Sequence, residues 1–129
     1  MSIIGIGTDI VEINRISSLI KQWGDKFVSR VFSQEELDYA QNSCGFSAAS
    51  LAARFAAKEA VLKAFGTGLR GCRWVDIKVI IDDNTGRPEV FLAGNLKKIA
   101  YQKEMENIFV SLSHCRHYAI AYVLVEGRY

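Results

Sequence analysis

The chain has 129 residues, half of them hydrophobic and 23% charged, with a single proline. That hydrophobic share excludes a disordered chain, because burial can offset the entropy cost of ordering it. The length fits one domain spanning residues 1–129. Sixteen basic against fourteen acidic residues leave a net charge of +2, too weak a bias to indicate nucleic acid. The apolar runs are short, as at Ile77–Ile81, so no membrane-crossing segment is expected, and Met1-Ser2-Ile3-Ile4-Gly5 has no signal-peptide pattern. Three scattered cysteines (Cys44, Cys72, Cys115) form no CxxC pair, which speaks against a zinc site or disulfide framework and for a reducing, cytoplasmic setting. None of the three is assigned a role.

In chain order, residues 3–8 read as a buried strand in which Gly5 and Gly7 let another backbone come close. Ile13, Ile16, Ile20 and Trp23 fall at helical spacing, with Gly24 as the stop. Ser33-Gln34-Glu35-Glu36 has the S-x-x-E pattern of a capping box and opens a short helix. Residues 41–47 are a polar loop, and 48–65 a central helix ended by Gly66-Thr67-Gly68. The period then changes. Residues 74–81 alternate as a strand, 82–86 form a turn and 89–92 return. Residues 96–105 are a surface helix with Leu96, Ile99 and Ala100 inward, and 108–112 and 118–125 are apolar strands. Helices early and neighbouring strands late predict an α+β fold rather than a doubly wound sheet.

The central helix carries the chemistry. Of the fifteen residues from 51 to 65, eleven are apolar and six are alanines, so apolar side chains surround the axis. Arg54, Lys58, Glu59 and Lys63 interrupt that surface without forming one solvent stripe. Glu59 and Lys63 share a face, which in an ordinary helix is a surface pair worth about 0.3–0.5 kcal/mol. Among alanines the charges are desolvated and need partners. Together with the glycine turn after Lys63 they point to an anionic ligand and a metal ion. Asp9 is either the N-cap of the first helix or a second carboxylate; paired with Glu59 it would give the sparse ligand set that Mg²⁺ prefers. The basic residues Arg15, Lys21, Lys26 and Arg30 outnumber Glu12 and Asp25 along the first helix and beyond, as solvated charges or as a docking face for an acidic partner.

Three blocks, Gly5-Ile6-Gly7-Thr8-Asp9-Ile10-Val11-Glu12-Ile13, Arg54-Phe55-Ala56-Ala57-Lys58-Glu59-Ala60 and Lys63-Ala64-Phe65-Gly66-Thr67-Gly68, carry a resemblance that continues through Gly86-Arg87-Pro88 and Ser111-Leu112-Ser113-His114. Over nearly its whole length the chain resembles the bacterial holo-acyl-carrier-protein synthases, the short 4′-phosphopantetheinyl transferases. The resemblance implies helices packed on a small, mainly antiparallel sheet, assembled as a homotrimer with active sites between subunits. It implies transfer of the phosphopantetheine arm of coenzyme A to a serine of apo acyl carrier protein in fatty-acid biosynthesis, releasing adenosine 3′,5′-bisphosphate. Asp9 and Glu59 match the ligands of Mg²⁺, with Mn²⁺ as the alternative ion. Lys63 matches a phosphate-contacting lysine, so Asp9, Glu59 and Lys63 form the catalytic group. Arg54, Lys63, Gly66, Thr67, Gly68, Arg87, Pro88 and His114 match coenzyme contacts. Arg15, Lys26 and Arg30 match the carrier-docking surface. His117 has no assignment.

The chain differs from several relatives in having no basic residue in the 41–46 loop. Val11, two places after Asp9, matches the short type; the longer transferases carry an acidic residue there. Two other functions compete: a metal-dependent hydrolase of coenzyme A or a related nucleotide, and a non-catalytic coenzyme A-binding regulator. The basic first helix speaks against the first, and the Asp9–Glu59 pair against the second.

Overall fold

The computed structural model describes residues 1–43 and 45–128; Cys44 and Tyr129 lie outside the described residues. The architecture is α+β. Strand β1 (Ser2–Glu12) leads into α1 (Ile13–Trp23), α2 (Asp25–Val31) and α3 (Gln34–Ala40), then a two-residue ladder of β2 (Gln41–Asn42) and β3 (Gly45–Phe46). The central helix α4 (Ala48–Phe65) follows, then a 3-10 turn at Trp74–Asp76, the hairpin β4 (Ile77–Ile81) and β5 (Pro88–Leu92), helix α5 (Gly94–Gln102), and strands β6 (Met105–His114) and β7 (Tyr118–Gly127). The main sheet is antiparallel in the order β1-β7-β6, and β4-β5 forms a second small sheet.

Helix α4 lies in the middle of the core. Twelve of its eighteen residues are buried, including Arg54 and Lys58. It lies directly against β1, and the reason is local. A methyl group added at Gly7 would overlap the Ala60 carbonyl oxygen, and one at Gly5 the Ala64 carbonyl oxygen. Both glycines therefore serve the close approach expected of them. The alanines at 60 and 64 supply the matching low surface on the helix.

The elements differ from the sequence reading in particular places. β1 continues to Glu12, four residues beyond the expected strand, because 9–12 pair in register with 118–121 of β7; tertiary pairing outweighs the polar Asp9 and Glu12. α2 has no counterpart in the reading. Seven residues are too few to display a period, and its buried Val28 and Val31 carry it instead. Trp74–Asp76 is helical because the Asp76 carboxylate accepts from the Arg73 backbone N–H at 3.1 Å, turning the chain before β4 begins. α5 begins and ends earlier than expected, and Met105 already belongs to β6. The capping box at Ser33 is present, with Glu36 N–H donating to Ser33 Oγ and Ser33 N–H to Glu36 Oε1. Among the described residues, no helix is long and apolar enough to cross a membrane.

Candidate active site

Asp9 sits inside β1 rather than at its end. Glu12 occupies the N-cap of α1, with no side-chain bond to the helix, so the capping alternative for Asp9 falls away. Alternation along β1 places Asp9 with Gly5 and Gly7 on the side of the sheet that faces α4, in register with the buried Ala121. There Lys63 Nζ donates to Asp9 Oδ1 at 3.0 Å and to the Thr8 carbonyl oxygen at 3.0 Å.

Glu59 stands one turn before Lys63 on α4 and is partly buried. Burial pushes its carboxyl above the usual carboxylate range, and the negative charge of Asp9 pushes the same way; Lys63 and Arg15 pull against them. The two carboxylates thus sense each other, with two cations at the rim. After Lys63 the helix ends on Gly66, left-handed at φ 73°, whose N–H donates to the Leu62 and Lys63 carbonyls. Gly68 is also left-handed, and the Thr67 hydroxyl donates to the Gly68 carbonyl at 3.2 Å. Lys103 Nζ donates to the Phe65 carbonyl at 2.8 Å, tying the start of the turn to the far end of α5.

Glu59, Lys63, Gly66 and Gly68 line a cleft of about 260 Å³ whose other walls include Leu69 and Trp74. Leu69 and Trp74 also line a second cavity of about 500 Å³ with Arg30, Cys72 and Arg73. Ser29 and Arg30 in turn join a third, of about 650 Å³, lined by Leu19, Trp23, Lys26 and Phe27. Through these shared walls the three adjoin in series, a trench from Glu59 to a basic and aromatic surface on α1 and α2.

The charges of α4 divide between two faces, and this corrects the expectation that all four serve one anionic site. Lys58 is fully buried and faces away from the cleft. Its Nζ donates to Glu36 Oε1 at 2.7 Å and to the carbonyls of Val31 at 2.8 Å, Trp74 at 3.3 Å and Ile77 at 2.6 Å. Burial draws its proton affinity below the ordinary lysine value while Glu36 holds it up, and four oxygen acceptors surround Nζ. Arg54, 3% exposed, donates from Nε to the Val79 carbonyl at 3.3 Å and from Nη1 to Ser50 Oγ at 2.6 Å, and lies 4.6 Å from the Tyr39 ring centre.

The remaining expected residues are dispersed within one chain. Arg87 and Pro88 line a separate cavity with Ile108, Phe109 and Val110 of β6. His114 closes β6 opposite Ala119, which pairs in turn with Val11, so it lies two strands from β1. Lys26 and Arg30 edge the trench, whereas Arg15 is close enough to act on Glu59. Reading the sequence missed Trp74 and Leu69 as walls, Arg15 beside the carboxylates, and Glu36 as partner of Lys58. Only Glu36 carried a signal, as the closing residue of a capping box, and that signal accounted for one of its two oxygens.

Residues 5–123 match the model of the 4′-phosphopantetheinyl transferase superfamily, and the chain belongs to that superfamily. The holo-[acyl-carrier-protein] synthases are the members it is similar to. That of Clostridium tetani is 47% identical over 126 residues, covering 97% of each chain, and that of Ruminiclostridium cellulolyticum is 44% identical over 121 residues, covering 93% of this chain and 90% of the relative. The crystal structure of the Neisseria meningitidis synthase superposes with a TM-score of 0.87 at 38% identity, covering 97% of this chain and 99% of that one. The Helicobacter pylori synthase, in complex with coenzyme A, superposes with a TM-score of 0.82 at 31% identity, covering 94% and 99%.

Proposed function

We propose that the chain transfers the 4′-phosphopantetheine arm of coenzyme A to a serine hydroxyl of an apo acyl carrier protein in fatty-acid biosynthesis, giving the holo carrier and adenosine 3′,5′-bisphosphate. The observation that carries this is the Asp9, Glu59 and Lys63 group beside a glycine turn, joined by a trench to a basic and aromatic surface. An acidic carrier docking on Lys26 and Arg30, with Arg15 at the far end, can deliver its serine along that trench. In the reaction the serine oxygen bonds to the phosphorus bearing the pantetheine arm. The phosphoanhydride bond breaks, and the bisphosphate leaves with the electron pair. Lys63 Nζ already donates to Asp9 and to the Thr8 carbonyl, so Glu59, which lines the cleft beside it, is this chain's acceptor for the serine proton. Gly66, Thr67 and Gly68 offer backbone groups to the phosphates.

The donor set fits Mg²⁺, or Mn²⁺ in its place. Two hard oxygen ligands mutually destabilised by their charges suit a small cation that fills its remaining positions with water and phosphate oxygens, and no cluster of three or more His, Cys, Asp or Glu occurs among the described residues. When bound, the ion offsets the pyrophosphate charge.

The working unit is proposed to be a homotrimer of one-domain chains with its sites between subunits. Ile3, Ile6, Ile10, Phe109, Tyr118, Ile120 and Tyr122 are exposed along the main sheet, away from α4. So large an apolar face is rarely left to solvent. Arg87, Pro88 and His114, apart from the cleft in one chain, would then serve a coenzyme held by a neighbour, whereas Arg54 would have to exchange its internal contacts to join them. A cytoplasmic site of action follows from the two substrates.

The test is incubation with coenzyme A, Mg²⁺ and a matched apo carrier. The carrier should gain the mass of the arm, and Asp9→Ala and Glu59→Ala should gain none. Absence of a mass shift refutes the function; coenzyme cleavage without carrier would instead identify a hydrolase, and binding without turnover a regulator. Light scattering should give three times the 14.4 kDa chain mass.

A further inference from the structure

Lys63 is bonded to the very carboxylate that a cation would need. Its Nζ reaches Asp9 Oδ1 and the Thr8 carbonyl, although Glu59 lies one turn away on the same helix. The side chain of Lys63 is 53% exposed and that of Asp9 only 17%, so a solvent-facing ammonium reaches inward to a more enclosed acceptor. Lys63 also stands between two cavities and lines both. One contains Glu59, Gly66 and Gly68; the other lies over Gly7, Thr8 and Tyr122. Its unbranched stem has room to turn either way, and a lysine ammonium, with three rotatable donors, can leave one oxygen and take another.

The charges explain why it would turn. Asp9 and Glu59 supply two negative charges, and Lys63 and Arg15, both acting on Glu59, supply two positive ones. A divalent cation approaching this balanced group finds no surplus of negative charge. A pyrophosphate changes that balance, because it gives the ammonium a new partner as the cation takes the carboxylate.

We propose that Lys63 is an exchangeable counter-ion. Its ammonium occupies Asp9 until a divalent cation takes that carboxylate, then turns to the pyrophosphate, so that cation and polyanion bind as a coupled pair. This rests on Asp9 and Glu59 being the cation ligands. The coupling is reciprocal: whatever the pyrophosphate adds to cation affinity, the cation adds to pyrophosphate affinity.

The experiment titrates the full chain with Mn²⁺ alone, following free Mn²⁺ by electron paramagnetic resonance, then repeats the titration with coenzyme A. Lys63→Gln should bind Mn²⁺ alone at least about fivefold tighter than wild type, the lower end of common coupling factors. Arg15→Gln, which removes a like charge without freeing Asp9, should shift affinity less. Coenzyme A should tighten Mn²⁺ binding in wild type more than in Lys63→Gln. Unchanged or weaker binding by Lys63→Gln overturns the exchange. An equal shift in Arg15→Gln also overturns it, by reducing the effect to general charge repulsion. Asp9→Asn separates the two levels. If it binds Mn²⁺ like wild type, or if no variant binds, the cation site itself is wrong; if it loses Mn²⁺ while Lys63→Gln is unchanged, only the exchange fails.

Discussion

Replacing Lys58 by methionine keeps an unbranched apolar stem in the same slot and removes the ammonium. What is lost can be counted. The three N–H groups that serve four acceptors, Glu36 Oε1 and the carbonyls of Val31, Trp74 and Ile77, are removed, and Glu36 stays 0% exposed with its ion-pair partner gone and Arg54 as the remaining positive charge acting on it. Ser33 and Val79 N–H groups still donate to that carboxylate, so it is not stripped of partners. Removing one member of a buried pair costs about 3–5 kcal/mol, against a typical total of about 5–15 kcal/mol. Lys58→Met should therefore lower the urea midpoint sharply at fixed protein concentration, with little change in slope. Glu36→Gln should cost less, since the ammonium keeps three carbonyl acceptors. The double variant should be more stable than the two single losses predict, by about 0.5–3 kcal/mol. A Lys58→Met protein within about 1 kcal/mol of wild type would refute the view that this ammonium joins α2, α3, α4 and β4.

Three further outcomes are expected. Gly7→Ala should destabilise by about 1–3 kcal/mol in urea unfolding, because the added methyl meets the Ala60 carbonyl rather than a movable side chain. Glu59→Gln should abolish transfer and raise the melting temperature at neutral pH. The native Glu59 carboxyl is held above its ordinary 4.5, so the native state binds more protons than the unfolded chain, and the wild type loses stability as pH rises through the interval starting near 4.5. The variant's advantage should disappear below that interval in a series of melts against pH. Arg30→Glu should raise KM for the carrier with kcat unchanged, and wild-type KM should rise with salt, as steady-state transfer assays will read.

The sequence made the fold class legible because its signals were local ones: the Ser33 capping box, Gly24 and Gly66 as stops, and the alternation of β4. The carboxylate pair was legible for a different reason, since charge inside an alanine-rich helix has few explanations. What stayed hidden was direction. Arg54 and Lys58 share a helix with Glu59 and Lys63, and only the position of Glu36 across the core shows that Lys58 belongs to another network. The length of β1 was hidden likewise, because 9–12 are strand only by pairing with β7. Trp74 gave no sign of its place in two cavities, nor of its ring lying 5.1 Å from that of Phe55.

Between β1 and α4 there is main chain on both sides and nothing adjustable in the gap. The approach of the strand that carries Asp9 to the helix that carries Glu59 is therefore set by peptide groups, at Gly5 against Ala64 and at Gly7 against Ala60. Preference for a small cation over a larger one such as Ca²⁺ would then be inherited from two glycines rather than from the carboxylates themselves. To widen that approach, the chain would have to change at Gly5 or Gly7, where any enlargement moves a whole strand.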